Sequence, residues 1–384
     1  MKTQIRTLLF CLALYSFTAC NANNNKSNLS VNTIETPNSN PNKQFIKVAL
    51  LLDTSNSMDG LIDQAKAQLW EIVNELSYAK CGNDKPNLQI ALYEYGNDRL
   101  SGEEGFIRQV LAFSDDLDEI SKELFSLTTN GGSEYCGHVI QTSLNQLNWG
   151  NNPDDLKLIF IAGNEPFTQG KVNYKDASVN AKEKEVTVNT IFCGDYNQGI
   201  SSYWKAGADL THGDYMAINH NKATVHIASP YDDEILQLNI KLNKTYVGYG
   251  KYGRNKKMMQ AEQDVNASGY SKANVVSRSV SKSSHLYKNS KWDLVDAVED
   301  EVVALEDIDK AALPDSLKNK STEELRAYIS ELQKERETIQ KQIQELNKKR
   351  KTFISEKQSK TENGLEDAMT KAIKTQAKKK KYTW

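Results

Sequence analysis

Beyond its first twenty residues this 384-residue chain has no long run of apolar side chains, which excludes a multi-span membrane protein. Cysteine and proline are sparse, at 5 and 7, and glycine stands at only 20, so disulfide-knotted and collagen-like architectures fall away. No sign of charge dominates. The 48 basic and 50 acidic side chains leave a net charge of −2, without the basic excess that marks a dedicated nucleic-acid binder. Histidine is equally scarce: His138, His212, His220, His226 and His285 form neither HExxH nor a CxxC-linked zinc pattern. Also missing are a GxSxG nucleophile elbow and a phosphate-cradling GxxxxGK[ST] loop. What remains is a chain with the length of about two folded units and enough apolar content for a core.

The N-terminus reads as an address. Lys2 and Arg6 precede the apolar stretch from Leu8 to Phe17, and Thr18 and Ala19 supply the small residues of a cleavage site. Residues 1–19 are thus expected to be a secretory signal. Phe17-Thr18-Ala19-Cys20 resembles the lipobox of a bacterial lipoprotein, with Phe17 in place of the usual leucine. The resemblance implies that Cys20 is lipidated and that the protein sits on a membrane of the bacterial cell envelope. Residues 20–43, rich in Asn, Ser, Thr, Pro and Lys, have almost nothing to bury and are expected to be a disordered tether. As a coil such a segment reaches on the order of 25 Å, and fully extended ~75 Å.

From Phe45 the pattern changes. Val48-Ala49-Leu50-Leu51-Leu52 is an unbroken apolar run, as in a strand covered on both faces. Helical spacing follows at Leu61, Ala65, Leu69, Ile72 and Leu76. Further strands are predicted at Leu88–Tyr95, Phe106–Phe113, Leu156–Ala162, Val186–Cys193 and Tyr215–Ile218. Helices are predicted at Leu117–Leu127, Val139–Leu147, Tyr174–Lys184 and Ile200–Ala208. The short gap between the second and third strands suggests that one of them runs antiparallel. Alternation of this kind predicts an α/β fold with a doubly wound, mostly parallel sheet, whose ligands bind at the carboxyl ends of the strands.

Asp53-x-Ser55-x-Ser57 falls at such an end, directly after the first buried strand. A carboxylate and two hydroxyls on one turn can converge on a hard cation such as Mg²⁺, which takes about six oxygens, waters included. The same residues can equally cap the following helix. With this string at this place, residues 44–228 resemble the von Willebrand factor type A (vWA) family. Its metal-ion-dependent adhesion site uses DxSxS, matched by Asp53, Ser55 and Ser57. A second loop, usually Gly-Gly-Thr, is matched by Gly131-Gly132-Ser133, which puts Ser133 in the threonine position. The third element, an aspartate ending a strand, is replaced: the chain reads Ala162-Gly163-Asn164-Glu165-Pro166. The resemblance implies Mg²⁺ or another divalent cation on Asp53, Ser55, Ser57 and Ser133; with the aspartate replaced by Gly163 the attraction for a cation is weakened, and Glu134, Asn164 and Glu165 are this chain's own candidate helpers. It also implies an open metal position that takes an acidic group of a protein partner.

Cys81, Cys136 and Cys193 follow the anchor cysteine. Export permits disulfides. Cys136 and Cys193 fall on the site-bearing edge of the predicted sheet, so they are the expected pair, with three reduced thiols as the alternative. Cys136 and His138 stand two residues apart at a helix start, so their side chains diverge, which argues against a nucleophile and base. No catalytic residue is assigned, and the chain is expected not to be an enzyme.

Residues 229–384 read as a mainly helical region. Tyr246–Gly253 is an aromatic, glycine-rich stretch, and residues 254–290 are polar and basic without a clear placement. The clearest signal is the capping box Ser321-x-x-Glu324, followed by Leu325, Leu332, Ile339, Leu346 and Phe353 at every seventh position. This predicts a long, coiled-coil-like helix over residues 321–358. Its seam also holds Arg336 and Arg350, so self-association and an internal hairpin are both open. The terminal Lys378–Lys381 run suits a solvated end, an anionic lipid surface, or docking of Trp384 on the protein itself. Two functions follow. One is an envelope-anchored binding or scaffold lipoprotein that captures an acidic group through a vWA-like metal site. The other is a metal-free assembly protein acting through its long helix. Neither involves nucleic acid.

Overall fold

Nine residues at Phe45–Asp53 form strand β1, whose apolar run leaves every residue after Phe45 buried. The computed structural model describes residues 44–222, 226–357 and 364–384. The signal segment, Cys20 and the tether of residues 20–43 lie outside the described residues.

After β1 the chain forms α1 (Asp59–Leu76), β2 (Lys80–Cys81), β3 (Asn87–Tyr95), β4 (Ile107–Ser114), α2 (Leu117–Ser126), α3 (Cys136–Gln146) and β5 (Leu156–Gly163). There follow α4 (Tyr174–Glu183), β6 (Thr187–Cys193), α5 (Tyr196–Ser201), α6 (Trp204–Asp209) and β7 (Tyr215–Ile218). The remainder is α7 (Asp232–Lys244), α8 (Gly250–Tyr270), α9 (Lys272–Lys282), α10 (Leu294–Glu299), α11 (Thr322–Lys357), α12 (Leu365–Lys379) and β8 (Tyr382–Thr383). The main sheet runs β4-β3-β1-β5-β6-β7, and only the β3–β4 pair is antiparallel. This is the doubly wound α/β arrangement expected from the alternation of strands and helices.

Alternate residues of β1 feed two cores. Ala49 and Leu51 pack with Tyr95, Val139, Ile161 and Trp204, under the helices α3, α4 and α6. Ile46, Val48, Leu50 and Leu52 face the other way, toward α1. That second face is closed by the C-terminal region. Met369, Ile373 and Ala377 of α12 enter the same core, as do Val276 and Val280 of α9 and Ile339, Ile343 and Leu346 of α11. Each large side chain so buried contributes about 1.5–3 kcal/mol. Gln64 and Gln68 of α1 accept the backbone amides of Leu365 and Glu366, satisfying orphan donors at the start of α12. The chain end docks too: Tyr382 pairs with Cys81, and the Trp384 indole donates to the carbonyl of Glu75 at 3.0 Å.

The long helix begins where the capping box puts it. Ser321 and Glu324 exchange reciprocal bonds, N–H to Oε2 at 2.7 Å and N–H to Oγ at 3.2 Å. Its seam, which the sequence leaves open to either a second copy or an internal partner, packs within the chain. Leu325, Ile329 and Leu332 pack against Val247, Leu294, Val295 and Leu317 in a third cluster, and the later seam residues join the sheet core. Arg336 and Arg350 are buried as ion-pair partners: Arg336 meets Asp293 at 2.7 Å and Asp296 at 2.5 Å, and Arg350 meets Asp232 at 3.1 Å. The seam positions that would interrupt a two-stranded coil are therefore the ones that lock α11 to its own chain.

Candidate metal-binding site

Strands β1, β3 and β5 end together, and three loops meet above them. Their meeting is fixed by backbone bonds: Thr54 N–H to Tyr95 O at 2.8 Å, Asn130 N–H to Thr54 O at 2.9 Å, and Asn56 N–H to Gly131 O at 3.0 Å. Gly96 forms a further bridge with Ser133. The loop of residues 128–134 is thereby laid against the DxSxS turn.

Asp53 is fully buried and Ser55 nearly so, at 0% and 1% exposure, while Ser57 is exposed at the mouth. Asp53 Oδ1 accepts the Ser55 amide at 2.7 Å. The Ser55 and Ser57 hydroxyl oxygens lie 3.2 Å apart, and the Asn164 side-chain amide donates to Ser57 Oγ at 3.1 Å. Asp53, Ser55, Ser57 and Asn164 are thus brought into one small group. Ser133 enters through its backbone bridge to Gly96, but among the described residues its hydroxyl makes no bond with Asp53, Ser55 or Ser57. The next residue goes further in. Glu134 is only 2% exposed, and its side chain lies beside Asp53, the two flanking the bare Cα of Gly96. Gln169 Oε1 accepts its backbone amide at 2.9 Å. The backbone of Glu165 lies against the Glu134 carboxyl, and its own carbonyl accepts the Trp204 indole at 2.8 Å.

Burial pushes the Asp53 carboxyl well above the usual range, and the neighbouring Glu134 pushes it further. Glu134 is raised as well, chiefly by burial. Two carboxyls in one buried site do not both stay charged without a cation beside them; otherwise the pair holds a proton.

The residues fit the cation that the resemblance implied. Asp53 Oδ2, Glu134 Oε2 and Asn164 Oδ1 are buried oxygens without a hydrogen-bond partner. Together with two hydroxyls they make an all-oxygen donor set, the chemistry preferred by Mg²⁺ and Mn²⁺.

The cysteines differ from expectation. Cys136 and Cys193 are both free and buried. Cys136 belongs to the core under α3 and Cys193 to the core under α1, so the sheet separates the two thiols. Burial raises both well above the ordinary thiol range, and the nearest polar contact of Cys136 is the Tyr95 hydroxyl at 3.9 Å. His138 packs instead beside Gly105.

A mostly parallel α/β sheet with a DxSxS turn at the carboxyl end of its first strand is the arrangement that the sequence resemblance implied. Residues 47–202 match the model of the von Willebrand factor type A domain, and over that stretch the chain is a vWA domain. A solved structure of the conserved hypothetical protein BatB from Bacteroides thetaiotaomicron is 15% identical, with a TM-score of 0.35, and the match covers 45% of this chain and 90% of that one. An aerotolerance-related membrane protein from Bacteroides fragilis is 15% identical with a TM-score of 0.31, covering 46% and 93%. Proximal thread matrix protein 1 from the mussel byssus, with zinc in its MIDAS motif, is 14% identical with a TM-score of 0.36, covering 47% and 43%. The chain therefore spans under half of that mussel structure. A comparison with curated proteins gives no match.

Proposed function

We propose that this chain is a non-catalytic, cation-dependent protein-binding module of the bacterial cell envelope, anchored through a lipid on Cys20. Asp53, Ser55 and Ser57 hold a divalent cation, and an acidic group of a protein partner completes its coordination from the open side. A vWA domain supports a protein-interaction role in general. One observation carries the finer reading: Asp53 Oδ2 is fully buried without a partner, in the same turn that carries the Ser55 and Ser57 hydroxyls, of which Ser57 is exposed to solvent. A buried carboxylate oxygen left bare costs several kcal/mol, and a cation removes that cost. The partner's carboxylate would then be read by charge and by one open coordination position. The two raised thiols and the separation of Cys136 from His138 favour binding over catalysis.

Thermal melts of the full chain in Mg²⁺ or Mn²⁺ against chelator test the reading. A cation at 100 times its Kd should add about 2.7 kcal/mol of stability. Asp53→Asn keeps the acceptor for the Ser55 amide but removes the charge, and should abolish the gain. A wild-type chain indifferent to both cations would overturn the proposal.

A further inference from the structure

We infer that Glu134 is the second carboxylate of this cation site, supplied by the loop ahead of α3 in place of a side chain at the end of β5, and that Gly163 and Tyr95 are the other half of that exchange. The inference rests on the cation-binding reading and adds a ligand that the family pattern does not name. The usual third element puts an aspartate where this chain has Gly163. The position is not an open gap. A Cβ built there would lie 2.5 Å from the Tyr95 hydroxyl oxygen and 3.1 Å from Asp53 Oδ2. Real Cβ atoms do not approach that closely, so with Tyr95 in place position 163 has room only for glycine. The Tyr95 phenol is itself fixed, fully buried and donating to the Ala162 carbonyl at 3.0 Å.

Room has been made on the opposite side. Gly96 holds φ +80°, and a Cβ there would lie 2.8 Å from Asp53 Oδ1 and 2.8 Å from Glu134 Cγ. A bare backbone at this point lets the loop close down until Glu134 reaches Asp53. The Gly96–Ser133 bridge sets the approach, and the Gln169 side chain anchors the Glu134 amide. Glu134 then has Oε2 buried and unpartnered beside the equally bare Asp53 Oδ2. No lysine or arginine is paired with either carboxyl among the described residues. The exchange conserves what a divalent cation needs, two anionic oxygens from the protein, while moving the second from strand end to loop.

Mn²⁺ titration by calorimetry on the full chain tests this, with circular dichroism confirming the fold of each variant. Glu134→Gln should weaken Mn²⁺ by roughly a hundredfold, the order expected for removing a charge at contact distance from a dication. In chelator the same variant should melt no lower than wild type, because it relieves a like-charge pair; a purely structural Glu134 would lower that melt. Adding Tyr95→Phe and Gly163→Asp to Glu134→Gln clears the blocking hydroxyl, restores a strand-end carboxylate, and should recover most of the affinity. Unchanged Mn²⁺ binding in Glu134→Gln overturns the inference and leaves the cation reading standing. Absence of binding in wild type removes both. Failure of the triple variant overturns the part assigned to Gly163 and Tyr95. Where Glu134→Gln does not fold, Glu134→Asp shortens the arm with its charge kept, and unchanged binding there overturns the inference equally.

Discussion

Asp53 and Asp118 are both carboxylates on the sheet half of the molecule, 0% and 2% exposed, and their surroundings differ in kind. Asp118, in α2, meets the fully buried Arg278 of α9 at 2.8 Å and accepts the Tyr287 hydroxyl at 2.7 Å. Arg278 also binds Asp264 at 2.6 Å and lies over the Trp70 ring at 4.8 Å, while Lys282 meets Asp264 at 2.9 Å. Burial alone would raise the Asp264 carboxyl, but Lys282 and Arg278 hold it well below the usual range. The same arrangement recurs where Arg336 meets Asp293 and Asp296, and where Arg350 meets Asp232. At these three places in the helical layer buried carboxylates come with guanidinium groups, although burial and Asp293 still raise Asp296 to about 6. Over the strand ends, Asp53 and Glu134 come with each other. The contrast separates carboxylates paired with cationic side chains of the fold from two that have no such partner among the described residues.

Breaking the first kind should have the largest effect. Arg278→Ala strands Asp118 and leaves Asp264 with Lys282 alone, and should cost about 3–5 kcal/mol in urea unfolding. Removing charge from the strand-end pair in chelator should cost nothing of that size. If Arg278→Ala proved as mild as Glu134→Gln in chelator, the two regions would not differ energetically and the contrast would fail.

A smaller effect sharpens the comparison at a third carboxyl. Burial pushes Glu366, near the start of α12, up to about 7 from 4.5, with Glu71, Asp367 and Glu75 adding to the rise and Lys351 opposing it. The folded state therefore binds a proton that the unfolded chain releases at lower pH. Stability should fall as pH rises from 4.5 toward about 7 through this group. Glu366→Gln should flatten that part of the stability–pH curve, measured by melts at fixed ionic strength. An unaltered slope would mean that Glu366 is better compensated than its neighbours indicate.

Much of this was legible in the chain. The apolar run of β1, the DxSxS turn and the reciprocal capping of Ser321 and Glu324 are local patterns, and local patterns survive folding. The buried charges were not. Arg336 and Arg350 read as interruptions of an apolar seam because their partners are distant in sequence, at 293, 296 and 232. Helix α9 was harder still. Its sequence KANVVSRSVSK looks solvated, yet every residue from Ala273 to Lys282 is buried. Small serines let it lie close to α1, where Asn274 donates to the Ala67 carbonyl at 2.8 Å and Asn74 donates to the Ser277 carbonyl at 2.9 Å. At the site, Glu134 was one helper among three. Its claim depends on what glycine permits at 96 and what Tyr95 forbids at 163, and neither is a motif. The Cys136–Cys193 pairing failed for a related reason: both lie near one sheet edge, but sharing an edge does not mean sharing a face.

The smallest expected effect lies on α11 itself, where one helix carries both kinds of arginine. Arg326 pairs with Glu306 across the surface, each side chain 57% exposed, whereas the Arg336 side chain is 4% exposed. Composition does not distinguish them; position around the helix does. An exposed pair gains little in high dielectric and loses side-chain entropy, so Arg326→Ala should change urea stability by less than about 1 kcal/mol. Added salt should shrink even that difference, because surface charges are screened within about 10 Å at 0.1 M. A cost for Arg326→Ala approaching that of Arg278→Ala would mean that burial does not set the worth of these ion pairs. The proposal of a cation at the bare, buried oxygens of Asp53 and Glu134 would then lose its energetic footing.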